Sequence, residues 1–314
     1  MNLSAVDGKF LIKCFIGNNE QLTFSQVVGF PSREFFVNHV ILCVLNFLLT
    51  FSSTFLNFIT VFAYWRSTRL QRKMSYFLVM LLSLSDVGVG LICNSIFTAI
   101  LTSHTLGYAN CLLSTFWLVA IWIFPNMSLT TLFVLNFERY LGIIHPIFHV
   151  SKVTKRGLLT ATVTLWLLIV VEVCVLFFEE KVLRVLVSLK ICSFLVVLIS
   201  FYVNIFVTGH GAAMRGASEN VERSRQKAAF VKKTKLAKSC LIVVSCNILC
   251  FLPAAVTSFA WQRSFFGLVL FSWSTTFVLM ASTLNSVIFF WRNQILRSEA
   301  KTILRETFLC RLVE

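Results

Sequence analysis

The stretch FERYLGIIHP, residues 137–146, places Glu138 and Arg139 side by side directly after a long apolar run. The run before them, WLVAIWIFPNMSLTTLFVLN (117–136), contains no Asp, Glu, Lys or Arg. Charged side chains next to that much hydrocarbon need a partner, water or a membrane surface. The pair therefore marks the edge of a membrane or a functional site.

The composition of the chain is that of a polytopic membrane protein. Of its 314 residues, 57% are hydrophobic and 13% are charged, with 33 Phe and only 4 Pro. The mean hydropathy is +0.83, which lies far outside the range of ordinary soluble domains. A spanning helix needs roughly 20 apolar residues. Seven stretches satisfy this length, and the predicted spans are Phe36 to Trp65, Met74 to Thr102, Tyr108 to Leu141, Gly157 to Phe178, Val182 to Phe206, Lys238 to Ala260 and Phe266 to Trp291.

The segment after the seventh span has an apolar face and a basic face, which is typical of a helix lying on a membrane surface. Its apolar positions are Ile295, Leu296, Ile303, Leu304 and Phe308. The predicted fold is therefore an all-α membrane protein, a seven-transmembrane helix bundle with a C-terminal amphipathic surface helix. The predicted division is a tail over 1–35, a bundle over 36–291, and a surface helix with a short tail over 292–314.

The basic residues predict the orientation of the bundle. Of 28 Lys and Arg, 21 lie in the loops after the first, third and fifth spans or in the C-terminal segment, counting Arg139 and Lys238 at the adjoining span ends. By the positive-inside rule these regions are cytoplasmic and the N-terminus is extracellular. The net charge of +15 then indicates contact with anionic membrane lipids. Nucleic acid is not an expected partner, because no recognisable nucleic-acid-binding motif accompanies the charge.

Three features on the predicted surfaces are candidates for covalent modification. Cys14 and Cys111 are the two cysteines expected on the oxidising outer side, so they could form a disulfide. Asn2 begins the sequon Asn-Leu-Ser and could be glycosylated. Cys310 follows the basic surface helix, where palmitoylation and an unmodified thiol are equally expected.

The motif at Glu138 is joined by others in a fixed order. Arg139 and Tyr140 follow Glu138, and a Pro follows in the next loop. Further anchors in chain order are Asn57 in the first span, Asp86 ending LLSLSD in the second, Trp166 in the fourth, Pro253 within CFLP in the sixth, and Asn285 within NSVIF in the seventh. The chain thus resembles the rhodopsin-like, class A G-protein-coupled receptors over about Phe36 to Leu309.

The resemblance implies a plasma-membrane receptor that passes binding of an extracellular ligand to heterotrimeric G proteins. Glu138 would hold Arg139 at rest, and outward movement of the sixth helix at Pro253 would free it. The residues implied in this switch and in G-protein coupling are Glu138, Arg139, Tyr140, Tyr202, Pro253, Asn285 and Phe289.

Asp86 is expected to carry a function, since an acid at mid-membrane is costly unless it is paired, hydrated or neutralised. Its expected polar neighbours are Asn57, Ser128, Ser282 and Asn285. The resemblance implies a sodium ion at Asp86, and no other cofactor or metal is expected. The alternative is a polar cluster that only holds helices together.

Five residues depart from the family pattern in the switch region. Phe251 stands for Trp, Ser286 for Pro and Phe289 for Tyr. Asn247 replaces the usual Phe, and Lys233 takes a position that is often acidic. We therefore expect no second acidic partner for Arg139 at position 233.

The outer face also departs from the pattern. Ser114 occupies the place of the family's third-helix Cys, and the loop FEEKVLR (178–184) offers no Cys as partner. The usual disulfide is expected to be absent. Together with the short loop and a fifth span that has no Pro, this resembles some melanocortin-, adenosine- and cannabinoid-type receptors.

The ligand class is argued by exclusion. Ile121 stands where amine receptors carry Asp, and Leu279 stands where light receptors carry Lys, so neither a monoamine nor retinal is expected. A small molecule, a lipid or a peptide stays open. The pocket candidates are Trp117, Ile121, Trp122, Phe124, Glu172, Phe251, Ala254, Ala255, Ser258 and Thr275. Ordinary helix packing is the alternative for each aromatic, and pairing with Lys190 is the alternative to ligand contact for Glu172.

Other function classes fit less well. A transporter or channel would show internal repeats and several intramembrane charges, whereas this chain has two mid-membrane acids, Asp86 and Glu172. A seven-helix decoy or structural membrane protein without signalling is a closer alternative, because the departures fall in the switch. An enzyme is not expected, since there is no nucleophile motif, metal cluster or glycine-rich phosphate loop.

Overall fold

The computed structural model describes residues 9–15, 23–176, 242–257 and 265–310, together with part of 189–207. Asn2, Tyr202, Lys233 and Ser258, which the sequence singles out, lie outside the described residues. So does the loop FEEKVLR.

Five helices of the described chain are long and apolar enough to cross a membrane. They are Arg33–Arg66, Met74–Thr105, Cys111–Ile144, Lys155–Leu176 and Phe265–Arg292, which correspond to the first, second, third, fourth and seventh predicted spans. The sixth is described as the shorter apolar helix Ile242–Thr257, and the fifth only in part. The predicted all-α membrane bundle is confirmed.

Two short helices and one tail helix complete the described helices. Thr68–Gln71 follows the first span, and Pro146–Lys152, the loop helix, follows the third. Pro146 suits the first position of a helix, where its missing N–H has no intrahelical partner to lose. The tail helix Gln294–Cys310 follows the seventh span. That it lies on a membrane surface stays a prediction.

The second span is interrupted by a wider turn. Its regular segments, Met74–Gly88 and Ser95–Thr105, flank the π-helical turn Val89–Asn94. Within it, Gly90 lies against the first span, where an added Cβ would be 2.7 Å from Thr54 Oγ1. The absence of a side chain at Gly90 therefore lets the first two spans approach closely.

The N-terminal segment contains two strands that the all-α prediction did not include. Leu11–Phe15 (β1) and Thr23–Val27 (β2) pair antiparallel, with Leu11 opposite Val27. An isolated two-stranded hairpin is marginally stable in water. Here a disulfide between Cys14 and Cys111, with a Cα–Cα distance of 5.5 Å, ties it to the start of the third span. We call these residues the N-terminal hairpin.

The described part of the bundle has two apolar cores along its length. One lies near the N-terminal hairpin and includes Phe97, Trp117 and Leu279. The other lies toward the loop helix and the tail helix and includes Leu135 and Phe289. The same helices contribute to both cores, and they also carry the polar residues predicted to surround Asp86. These polar residues form a layer inside the bundle.

Candidate functional site

Asp86 is fully buried and lies among polar side chains of the neighbouring spans. Its Oδ2 accepts a hydrogen bond from Asn285 Nδ2 at 3.1 Å, and its backbone oxygen accepts one from Ser282 Oγ at 3.2 Å. The same Asn285 Nδ2 lies 3.5 Å from Ser128 Oγ. The second, third and seventh spans therefore meet at this carboxylate.

Asn57 connects the first span to the same group. Its Nδ2 donates to the backbone oxygen of Ser53 at 2.9 Å, and the hydroxyls of Ser53 and Ser282 are 2.8 Å apart. Ser286 Oγ donates to Asn57 Oδ1 at 2.5 Å. Ser286, which stands in place of the family's Pro, thus adds a contact that a proline could not make.

Asn247 extends the group to the sixth span. Its Nδ2 donates to Asn285 Oδ1 at 2.6 Å, and both side chains are buried. The amide of Asn285 therefore bridges Asp86 and Asn247 through its two polar atoms. The resulting set, called here the Asp86 cluster, is Ser53, Asn57, Asp86, Ser128, Asn247, Ser282, Asn285 and Ser286.

The chemistry of the Asp86 cluster fits a monovalent cation. Asp86 Oδ1 is a buried oxygen with no hydrogen-bond partner among the described residues. A buried carboxylate oxygen in this state is costly unless a proton or a cation compensates it. The atoms that would coordinate an ion at this site are hydroxyl and carboxylate oxygens. Within the described ranges, no group of three or more His, Cys, Asp or Glu could hold a metal ion.

Glu138 and Arg139 lie at the C-terminal end of the third span. The Glu138 carboxylate is buried, with Arg139 Nε 3.5 Å from its Oε2. His149 Nε2, on the loop helix, donates to its Oε1 at 2.9 Å. These three residues are called here the arginine edge. Sequence reasoning missed His149, because its distance from Glu138 depends on how the loop helix folds back.

The other predicted switch residues are dispersed along the bundle. Tyr140 stacks on Phe201 of the fifth span, with ring centroids 4.4 Å apart. Pro253 lies within the helix Ile242–Thr257. Phe289 is buried in the core next to the tail helix. It lacks the hydroxyl group that Tyr would carry at this position.

Pro125 was also missed by sequence reasoning, although its identity is a clear signal. It lies inside the helix Cys111–Ile144 and cannot donate to the carbonyl of Ile121, four residues earlier. A missing helical hydrogen bond weakens a helix locally. The third span therefore has a site of lower helical stability, which lies between the apolar core that contains Trp117 and the Asp86 cluster.

The aromatic ligand candidates are partly brought together near the N-terminal hairpin. Trp117 is buried, stacks on Phe97 at 5.1 Å between ring centroids and meets the edge of Phe271 at 6.1 Å. Ile121 and Phe124 pack against the same core. Trp117 Nε1 is buried without a hydrogen-bond partner in the part of the chain that the structure describes.

The remaining pocket candidates differ in burial. Thr275 is buried. The half-buried ones are Trp122, Phe251, Ala254 and Ala255. Glu172 Oε2 accepts a hydrogen bond from Lys190 Nζ at 2.6 Å, and both side chains are partly exposed. The structure thus contains the ion pair that was the alternative to ligand contact for Glu172.

The N-terminal hairpin is held to the third span by more than its disulfide. Asn110 N donates to Gln26 Oε1 at 3.0 Å, and Gln26 Nε2 donates to Ser114 Oγ. Ser114, in the place of the family's Cys, thereby receives a contact from the tail instead of a disulfide. Cys310 is the last residue of the tail helix.

Part of the chain matches a known protein family. Residues 56–185 match the family model of the seven-transmembrane receptors of the rhodopsin family. The predicted resemblance to rhodopsin-like, class A receptors is thereby confirmed, over less than half of the chain. The protein is a multi-pass membrane receptor. No curated protein matches the chain, and the likeness to melanocortin-, adenosine- and cannabinoid-type receptors stays a prediction.

Proposed function

We propose that this receptor passes the binding of an extracellular ligand to heterotrimeric G proteins at the plasma membrane. The observation that carries the proposal is the arginine edge. Arg139 lies at the end of a spanning helix with an 18% exposed side chain, and its Nε is 3.5 Å from Glu138 Oε2. A cation held this loosely at a membrane edge can exchange its partner for a cytoplasmic protein at a low energetic cost.

The Asp86 cluster supplies a mechanism for coupling the spans. Asn285 contacts Asp86 and Asn247 at the same time, so outward movement of the sixth span at Pro253 must break or stretch its bond to Asn247. Any ligand or ion that changes the position of Asn285 then changes the free energy of that movement. The proposed switch therefore runs from Asp86 through Asn285 to the sixth span.

Sodium is the proposed ion at this cluster. Asp86 Oδ1 would bind it together with Ser128, whose hydroxyl lies at the same Asn285 amide. A bound cation would compensate the buried carboxylate without a proton. If sodium binds there, Asp86→Asn should remove the sodium dependence of receptor stability, measured as melting temperature in sodium chloride against choline chloride.

The proposed ligand site is the apolar core near the N-terminal hairpin, which contains the aromatic residues Phe97, Trp117 and Phe271. Its members favour an apolar molecule, and the unpartnered Trp117 Nε1 offers one buried donor to an acceptor on that molecule. Lipids, small molecules and peptides with an apolar anchor all satisfy this chemistry. The N-terminus is proposed to be extracellular, and an N-terminal epitope tag reached by antibody only after permeabilisation would reject that orientation.

The direct test is a set of G-protein dissociation sensors in cells expressing the receptor, covering each G-protein class. Ligand libraries are screened against the wild type, with Arg139→Ala at matched surface expression as the control. A signal in the wild type that Arg139→Ala abolishes supports the proposal. Silence with every G protein and library, at confirmed surface expression, would favour the non-signalling decoy instead.

A further inference from the structure

In the part of the chain that the structure describes, two basic side chains lie next to the Glu138 carboxylate, and they are not held equally. His149 Nε2 lies 2.9 Å from Oε1, whereas Arg139 Nε lies 3.5 Å from Oε2. Among the described residues, Arg139 Nε and Glu138 Oε2 have no hydrogen-bond partner. The bond to His149 has the length of a good N–H···O bond, and the contact to Arg139 is only an ion pair.

The position of His149 is fixed by the loop helix that carries it. Its backbone N–H donates to the oxygen of His145 at 2.9 Å, within a helix that begins at Pro146. Its ring lies over Gly142 of the third span, where an added Cβ would be 3.6 Å from His149 Cδ2. The ring is therefore presented to Glu138 by two backbone segments.

A buried carboxylate orients toward its strongest donor, because it has few other partners at that site. Glu138 is 4% exposed, so a change in one neighbour directly affects the other. When His149 donates to Oε1, Glu138 is turned away from a two-bond contact with the Arg139 guanidinium. Without His149, both carboxylate oxygens become free for Arg139, and bidentate pairing is the stronger arrangement.

We infer that His149 is a positioning residue that competes with Arg139 for Glu138 and thereby weakens the hold on Arg139 in the resting receptor. The inference rests on the proposed G-protein function, since it states how that same switch is regulated. Its consequence is that the donor at position 149 sets the level of ligand-free signalling. A stronger donor to Glu138 raises that level, and loss of the donor lowers it.

The first arm of the test measures ligand-free G-protein activation at matched surface expression. His149→Ala should lower it by about threefold, because a shift of this size needs less than 1 kcal/mol. His149→Gln retains a neutral donor and should restore much of the signal, and His149→Lys, with a permanent charge, should equal or exceed the wild type. Ser151→Ala is the control on the same loop helix, since Ser151 is exposed and its hydroxyl donates to the backbone oxygen of Phe148, and it should leave the signal unchanged.

The second arm needs no G protein. Melting temperatures of the purified receptor are compared for His149→Ala, Glu138→Ala and the double variant, because Ala leaves no acceptor for His149 at position 138. The inference predicts strong non-additivity, with the double variant no less stable than Glu138→Ala alone, and a smaller coupling between Arg139→Ala and Glu138→Ala.

The two arms separate the inference from the function on which it rests. If the wild type is silent with every G protein while the melting cycle shows the stronger coupling to His149, the proposed function fails and the contact stands. If the wild type signals but His149→Ala raises the signal or leaves it unchanged, the inference is overturned. Equal losses in Ala, Gln and Lys variants would show a purely structural role and would also overturn it.

Discussion

The Asp86 cluster and the arginine edge are built from similar groups but held in opposite ways. In the Asp86 cluster, hydrogen bonds of 2.5 to 3.5 Å link side chains of five spans, all of them nearly inaccessible to solvent. At the arginine edge, one carboxylate is shared between a histidine and an arginine, and the arginine is partly exposed. The two regions therefore differ in the number of hydrogen bonds that hold each side chain as well as in burial.

This difference assigns separate roles to the two regions. Removing one member of a buried network leaves a partner unsatisfied, which costs about 1 to 3 kcal/mol. The 3.5 Å contact of the partly exposed Arg139 is a weaker interaction than such a network. Substitutions in the Asp86 cluster should therefore have the larger effect on stability, and substitution of Arg139 should mainly change signalling.

Asn285→Ala should give the largest loss of stability. It removes the amide that joins Asp86 to Asn247 and leaves both without that partner, so we expect a cost of about 2 kcal/mol or more. The measurement is the melting temperature of the purified receptor. Asn38→Ala is the matched control, because Asn38 is half-buried and accepts a hydrogen bond from Trp273 Nε1 outside the Asp86 cluster. Equal losses in the two variants would contradict the special role of Asn285.

Ser286→Ala should have a smaller effect of the same kind. It removes one buried hydrogen bond, from Ser286 Oγ to Asn57 Oδ1, and we expect a cost of about 1 kcal/mol. Ser298→Ala, on the exposed side of the tail helix, should leave the melting temperature unchanged. A loss at Ser286 no greater than at Ser298 would show that the first and seventh spans are held by apolar packing alone.

Asp86→Asn replaces the carboxylate with an amide of nearly the same shape. The substitution therefore tests the charge of Asp86 more than its packing. An acceptor for Asn285 is preserved, and expression should therefore be maintained. We expect a change in the sodium dependence of agonist affinity, or in ligand-free signalling. In a receptor shown to be active, an unchanged response in both assays would mean that Asp86 serves only to hold helices together.

Much of the Asp86 cluster could be predicted from the sequence, because helix order and polar residues in apolar spans restrict which side chains meet. Asn57, Ser128, Ser282 and Asn285 are polar residues within other spans, and the resemblance to class A receptors also implies a pocket at the matching positions. Its extension to the sixth span was not predicted. In the sequence, Asn247 stands out only as a departure from the family pattern, and its contact depends on a helix rotation that hydrophobic periodicity does not specify.

The arginine edge and the N-terminal segment were harder to predict. The bond from His149 depends on a loop helix that returns to the third span, and loop geometry is not encoded in hydropathy. The N-terminal hairpin depends on long-range anchors, chiefly the bond between Cys14 and Cys111 across 97 positions. Short strands without such anchors carry a weak sequence signal.

Ligand-free G-protein activation at the arginine edge tests the central claim most directly. Lys233 stands where an acidic partner for Arg139 is often found, and among the described residues Arg139 pairs with Glu138 at 3.5 Å. We expect wild-type signal above mock-transfected cells, a lower signal in Lys233→Glu, and none in Arg139→Ala with ligand binding intact. Wild-type signal equal to mock cells, and unchanged by Lys233→Glu at matched surface expression, would contradict the claim that Arg139 is weakly held.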